Sequence, residues 1–365
     1  MDPQVVSLIR AIAILQGLIL GVVLIVYSKK NKSSLFLGLF LLGFAIEFLP
    51  GLISDMKFLN YNPRQLLFLL NLSWILFPLL LIYIRRVSIV QRKRMQYRII
   101  YPGILAVLIQ VILGLNRNLS DFLLMSTYTY EILHVAGLVY SVYILYRIHR
   151  HLQQHKQEVH NQYAQVDNRL LLWLRYFAFF CFALVTMRVT ALFMDRSPVL
   201  HFVLACFNIV IITVIAISGF YQYNVINVLS KNQEDSDAIS TNPSTTPIPE
   251  NRALDLLRRM DDQIEEKELY RQQDLTIANV AELLKEHPRS ISLALNTYYK
   301  KNFNSYINQY RISRAKTLLK SGYAQTKSIQ GLSQEVGFRS KASFYRAFKE
   351  NTDITPVDYL KNLKS

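Results

Sequence analysis

Seven apolar stretches crowd into the first 230 residues of this 365-residue chain. They lie near 6–27, 34–54, 65–84, 99–115, 121–146, 170–194 and 199–222. A helix needs about 20 apolar residues to cross a bilayer, so each stretch reads as a span. The second carries Glu47 with Pro50 and Gly51, and the fourth is the shortest. A signal peptide is the rival reading of the first. No basic residue precedes Arg10 and no small-residue cleavage site follows the apolar run, so it is expected to be retained.

The connections between seven spans alternate sides, and the basic residues alternate with them. Thirteen Lys and Arg fall on one side, among them Lys29, Arg85, Arg92, Arg147 and Arg169. The other side has four, Lys57, Arg64, Arg117 and Arg196. The positive-inside bias then places the N-terminus outside and residues 223–365 in the cytoplasm. Cys181 and Cys206 are the whole cysteine content, which excludes a disulfide scaffold. With 52% hydrophobic and 12% aromatic residues, the chain is not intrinsically disordered.

Polar groups inside spans are costly and find partners within a bundle. Glu47, Gln110, Glu131, His134, Arg188, His201 and Asn208 fall in the apolar stretches. A sensing role would pair Arg188 with Glu131 or Glu47. Glu131 and His134, three apart, share a helix face; a structural polar lock is the plainer alternative. RIHRHLQQHKQEVH adds His149, His151, His155 and His160 in the third basic connection. It lacks the glutamate of the HExxH pattern, so the expectation is a solvated basic face near anionic headgroups and no metal.

Residues 230–250, SKNQEDSDAISTNPSTTPIPE, have the composition of a flexible linker, with a root-mean-square reach of about 25 Å. They divide a membrane part, 1–229, from a soluble part, 251–365. In the soluble part, Leu254, Leu257, Met260 and Ile264 predict one amphipathic helix. LTIANVAELLKEHPRSISLALNTYYKKNF then predicts a helix from Ile277 to Leu284 and a break at 285–287. A second helix follows, begun by Pro288, whose missing N–H costs nothing in a first turn. The pattern recurs over SIQGLSQEVGFRSKASFYRAFKENTDITPVDYL. Here the helices are 328–336 and 341–349, with a turn at Gly337 and Phe338 and an N-cap at Ser340. Two helix-turn-helix units, 277–299 and 328–350, are thus joined by one helix that Gly322 closes.

At these residues the sequence resembles the AraC-type transcription regulators over about 262–361. LTIANVAELL and NFNSYINQYRISRAKTLL carry part of the resemblance. Ile329, Leu332, Ser333, Val336, Gly337, Phe338, Ser340, Phe344, Ala347, Phe348, Lys349, Thr355, Pro356 and Tyr359 carry the most specific part. The resemblance implies an all-helical domain whose two recognition helices enter successive major grooves. Lys300 and Asp353 stand where the family usually has glycine, sites that call for a positive φ. Ser333 and Leu360 replace a usual alanine and arginine. His287 replaces a common Ser or Thr cap, which predicts a less well capped first recognition helix.

Carried over by position, the DNA face comprises Arg289, Ser290, Ser292, Leu293 and Asn296 in the first unit. In the second it comprises Lys341, Ala342, Ser343 and Arg346. Arg346 is the foremost candidate for a base contact, since arginine reaches guanine O6 and N7 together. Lys300, Lys301, Arg339 and Lys349 suit phosphates, while Phe338, Phe344 and Phe348 are expected in the core. Charge agrees. Residues 285–365 carry a net +10 behind an acidic net −7 over 234–282, and the +12 of residues 1–230 reports topology instead.

The expectation is an all-α chain: a seven-helix membrane bundle, then a two-unit helix-turn-helix domain. Its expected function is that of a membrane-anchored one-component regulator of the bacterial cytoplasmic membrane, with no catalytic role and no cofactor. Double-stranded DNA and the bilayer are the expected partners, with a homodimer, RNA polymerase and an unidentified small-molecule or membrane signal as further candidates. Release of the DNA-binding part by proteolysis near the linker is a second mode of action. A transporter or intramembrane enzyme with a regulatory appendage is the alternative from another class. Against that alternative, the sequence lacks paired broken spans, HExxH and GxSxG.

Overall fold

The computed structural model describes residues 3–29, 32–56, 71–90, 97–115, 127–166, 249–323 and 328–364, with scattered positions between 171 and 218. Among these the chain is helical, its one antiparallel bridge joining Tyr163 and Thr276. It divides into two compact units.

The first unit, Met1–Gln154 with Leu171–Val228, holds α1 (Pro3–Tyr27), α2 (Ser34–Ile46), α3 (Leu49–Met56), α4 (Ser73–Val87), α5 (Tyr101–Leu115) and most of α6 (Thr127–Gln162). Small residues bring α1 and α2 together. A Cβ on Gly17 would stand 2.8 Å from that of Ala45, and one on Gly38 would stand 2.8 Å from the Gly21 carbonyl oxygen. Gly17 and Gly21 form the GxxxG spacing that lets helix backbones approach in lipid. A buried core of Leu37, Phe40, Leu41, Leu80, Ile84, Ile144, Ile148 and Ile212 joins α2, α4 and α6 to residues near 212. Meanwhile Leu8, Leu15 and Val26 of α1, Leu105 and Ile112 of α5, and Val139 of α6 point outward. Apolar side chains on the outer face are what a lipid surround requires and water penalises.

Two helices among the described residues, Gln4–Tyr27 and Ser34–Ile53, are long and apolar enough to cross a membrane. The other five expected spans are not shown among the described residues. α4 and α5 have 15 described residues each, and a helical turn, Tyr97–Ile100, leads directly into α5. Within Ser34–Ile53 a two-residue turn, Glu47 and Phe48, joins α2 to α3. Most of the sixth and part of the seventh stretch lie outside the described residues. α6, which holds most of the fifth stretch, continues past 146 through the polar run to Gln162. That run is not the solvated face expected of it: His149 is exposed, but His151 and His155 are buried at 5% and 2% exposure. They sit one helical turn apart on the stripe that α6 continues through Val159.

The second unit is His155–Leu170 with Leu229–Ser365. Its first piece lies before the sixth apolar stretch. Most of the linker, 230–248, lies outside the described residues. The elements are α7 (Glu250–Glu266), α8 (Ile277–Leu284), α9 (Pro288–Ala294), α10 (Phe303–Lys320), α11 (Ile329–Glu335), α12 (Lys341–Thr352) and α13 (Pro356–Lys364). Within α7 the buried stripe is Ala253, Leu256, Leu257, Met260 and Ile264. Leu254, expected on it, is 45% exposed, because the three-and-four spacing through Leu257, Met260 and Ile264 runs back to Ala253.

Candidate nucleic-acid interface

Each helix-turn-helix unit is set by its caps. The Thr276 hydroxyl accepts from the Asn279 N–H at 3.2 Å, and the Asn279 amide oxygen accepts from the Thr276 N–H at 3.0 Å. This reciprocal pair starts α8. α8 stops at Lys285, whose φ of 53° turns the chain. His287, in place of the usual Ser or Thr, caps α9: its Nδ1 accepts from the Arg289 N–H at 3.1 Å. An imidazole nitrogen with a free lone pair does here what a hydroxyl does elsewhere. Ile291, Ala294 and Leu295 anchor α9 inward. Arg289, Leu293 and Asn296 are exposed on its outside, with Ser290 and Ser292 half-buried. The recognition helix then widens into a π turn, Leu295–Tyr299, and ends at Lys300 with φ 53°.

The second unit follows the same scheme. Ser328 accepts from the Gly331 N–H at 3.1 Å to start α11, and Ser340 accepts from the Ser343 N–H at 3.2 Å to start α12. Phe338, Phe344 and Phe348 are fully buried, each ring edge-on to the next. Burial of each contributes about 1.5–3 kcal/mol. Lys341, Ala342, Arg346 and Lys349 are exposed on α12, and Lys341 lies 5.4 Å over the Tyr345 ring. Ser343 is placed otherwise: it is buried, and its hydroxyl donates to the Ser340 carbonyl at 2.9 Å, so it serves the cap. Asp353 ends α12 with φ 62°. Both glycine-to-other departures, Lys300 and Asp353, thus sit where a positive φ is needed.

Of the other basic positions, Arg339 is exposed in the second turn, and Lys301 donates to the Gln309 amide oxygen at 2.5 Å. Glu47 stands half-buried at the C-terminal end of α2. Glu131 and His134 lie in the first turns of α6, with side chains outside the described residues, and Arg188 lies outside them altogether. A group of three or more His, Cys, Asp or Glu able to hold a metal does not occur among the described residues.

The two units are held to each other as well as to themselves. α10 supplies Phe303, Tyr306 and Ile307 to the first core and Ile312, Ala315 and Leu319 to the second. Arg311, midway, is wholly buried. Its Nε donates to the Tyr270 carbonyl at 2.6 Å, Nη2 to Gln272 at 2.9 Å and Nη1 to Ala164 at 3.3 Å. Its guanidinium also lies 5.3 Å over the Phe338 ring. Burial lowers its pKa to about 10, which leaves it charged at neutral pH. Arg271 bridges Glu268 and Glu335, both at 2.6 Å, tying the edge of the first unit to α11. The hydrogen bond from Arg271 holds the Glu268 carboxyl below its ordinary range. Gly337, with φ 94°, lets the second turn close on residues 270 and 271.

A further cluster joins residues far apart in the sequence. Asp261 of α7 accepts from Tyr299 at 3.0 Å, from Tyr310 at 2.6 Å and from Tyr306. It fastens α7 to the end of the first recognition helix and to α10. Its spacing from those tyrosines, 38 to 49 residues, leaves no local signal.

Two helix-turn-helix units with polar outer rows, fixed on one connecting helix, define a DNA-binding domain. Residues 267–362 match the family model of a helix-turn-helix domain. No curated protein and no solved structure matches the chain. The match supports the AraC-type resemblance of residues 267–362 and a DNA-binding role for that part.

Proposed function

We propose that the chain is a membrane-anchored one-component regulator that reads promoter DNA with both recognition helices. The observation that carries this reading is the pair of capped helices, α9 and α12, each with an exposed polar row and both locked through α10 and Arg311. Arg289, Ser290, Ser292, Leu293 and Asn296 meet one major groove, and Lys341, Ala342 and Arg346 meet the next. Ser343 acts through the α12 cap. Leu293 and Ala342 suit thymine methyls, and Arg346 suits guanine. Lys300, Lys301, Arg339 and Lys349 take phosphates.

Anchoring rests on the two long apolar helices and the outward apolar faces of α1, α5 and α6. In this reading the bundle is multi-pass in the cytoplasmic membrane with the DNA-binding domain inside the cell. A signal at Glu47, Glu131, His134 or Arg188 changes its packing, and paired copies engage DNA and RNA polymerase. The test is selection from a random duplex library with the full chain in lipid nanodiscs. Arg346→Ala should cost about 1–3 kcal/mol at one base position and relax preference there. Lys349→Ala should weaken all sequences alike and reduce the salt slope by about one. Absence of any salt-sensitive enrichment defeats the reading.

A further inference from the structure

Residues 163–166 follow α6 directly and precede the sixth apolar stretch, yet they belong to the DNA-binding unit. Ala164 is 1% exposed and forms part of the core that Leu257, Ile291 and Tyr306 share. Its N–H donates to the Leu275 carbonyl at 3.0 Å. Its carbonyl accepts from Asn304 Nδ2 at 2.7 Å and from Arg311 Nη1 at 3.3 Å, partners 140 and 147 residues downstream. Tyr163 pairs antiparallel with Thr276, the residue that caps α8. In the amide orientation that satisfies both neighbours, Gln165 donates to the Gln273 carbonyl at 3.1 Å and accepts from the Arg339 N–H at 2.5 Å. Gln273 lies at the edge of the first helix-turn-helix unit and Arg339 in the turn of the second. One side chain therefore spans the seam.

We propose that the DNA-binding domain carries a docking groove for residues 163–166 of its own chain, and that this strap sets the orientation of the two recognition helices. The occupant is seated on the groove by main-chain bonds, a core alanine and a bridging glutamine. Connecting loops ordinarily leave their backbone groups to water; here those of Ala164 are spent on the domain. None of these contacts falls on Arg289, Asn296, Lys341 or Arg346, so docking leaves the outer rows open. The strap acts on the seam: it meets Arg339, a candidate phosphate contact, through the main-chain N–H and leaves that side chain exposed. Orientation matters because the two helices must meet major grooves about 34 Å apart. The strap continues from α6, a helix without a break from Thr127, whose first turns lie in the fifth apolar stretch. A change in that helix thus has a covalent route to the seam. The proposal rests on the reading that both recognition helices are used.

The test uses the full chain in nanodiscs, with Cys181 and Cys206 replaced by alanine and spin labels on the exposed positions Thr297→Cys and Glu350→Cys. Pulsed EPR without DNA reads the distance between recognition helices, and amide exchange reads segments around 164, 280 and 339. The expected result is one narrow distance and protected strap amides in the parent chain. Gln165→Ala should broaden the distance and speed exchange at Arg339 about tenfold, with α8 still protected. Ala164→Glu, which forces a carboxylate into the core, should do the same more strongly; if it also exposes α8, Gln165→Ala decides. An unprotected strap in the parent chain, or an unchanged distance in Gln165→Ala, overturns the proposal. Because no DNA is present, failure of the parent chain to bind DNA would strike the functional reading and leave this result standing.

Discussion

Arg311 shows how a single residue can organise the domain: a buried cation that three carbonyls and one aromatic face hold in place. Gly337 does the complementary work by leaving room. A Cβ there would stand 2.6 Å from the Tyr270 carbonyl oxygen, at a φ that side chains rarely adopt. Gly337→Ala should destabilise the domain by about 2 kcal/mol or more, read as faster amide exchange throughout α11 and α12. Gly331→Ala is the control. Its Cβ would meet nothing closer than 3.6 Å, and alanine favours a helix interior by about 1 kcal/mol, so stability should hold or rise. At the positive-φ ends of the recognition helices the sign reverses. Lys300→Gly should stabilise by about 1 kcal/mol and Asp353→Gly by less, since Asp tolerates that region better. Thermal melting of the two variants against the parent checks both.

At the scale of elements, α7, α9 and α10 meet at Asp261. Burial first, and then the hydrogen bond to Asp261, push the Tyr306 and Tyr310 hydroxyls well above the ordinary tyrosine range. A raised folded pKa means that the unfolded chain loses its proton first. The stability these tyrosines add is complete below about pH 10 and is lost as the pH climbs beyond it. The full chain should therefore show an alkaline transition in tyrosine absorbance coupled to loss of α7 protection. Asp261→Ala should cost about 2 kcal/mol at neutral pH, because the buried Tyr306 and half-buried Tyr310 hydroxyls lose their common acceptor. If alkali ionised the tyrosines without loosening α7, the cluster would not be holding it. The elements around this cluster were legible in sequence wherever the signal is local. Ser340 before a helix, Lys300 and Asp353 in glycine positions, and the phenylalanines spaced along 338–348 all announce their roles to their neighbours. Asp261 with its tyrosines, and Ala164 with Arg311, pair across tens to more than a hundred residues and announce nothing. The end of α6 was misread for another reason: HRHLQQHKQEVHNQ is polar enough to resemble a loop, and its burial depends on partners elsewhere in the chain.

At the scale of the whole molecule, the net charge of +16 divides into a basic pattern among apolar helices and a local +10 around the recognition elements. The second coincides with the helix-turn-helix match, and the candidate base-reading side chains lie on the two helices that α10 and Arg311 hold together. In the proposed reading, the outward apolar faces of α1 and α5 lie against a bilayer. Detergent removal without lipid should therefore aggregate the full chain, and light scattering reads that directly. Reconstitution into nanodiscs should restore a monodisperse particle.

The most direct measurement is a hydroxyl-radical footprint of the nanodisc-bound full chain on a duplex it has itself selected. The expected result is two protected windows about one helical turn apart on one face of the DNA. Arg346→Ala should weaken only one window and Arg289→Ala only the other. A single window, or one that both substitutions weaken alike, would contradict a domain that reads DNA with two recognition helices.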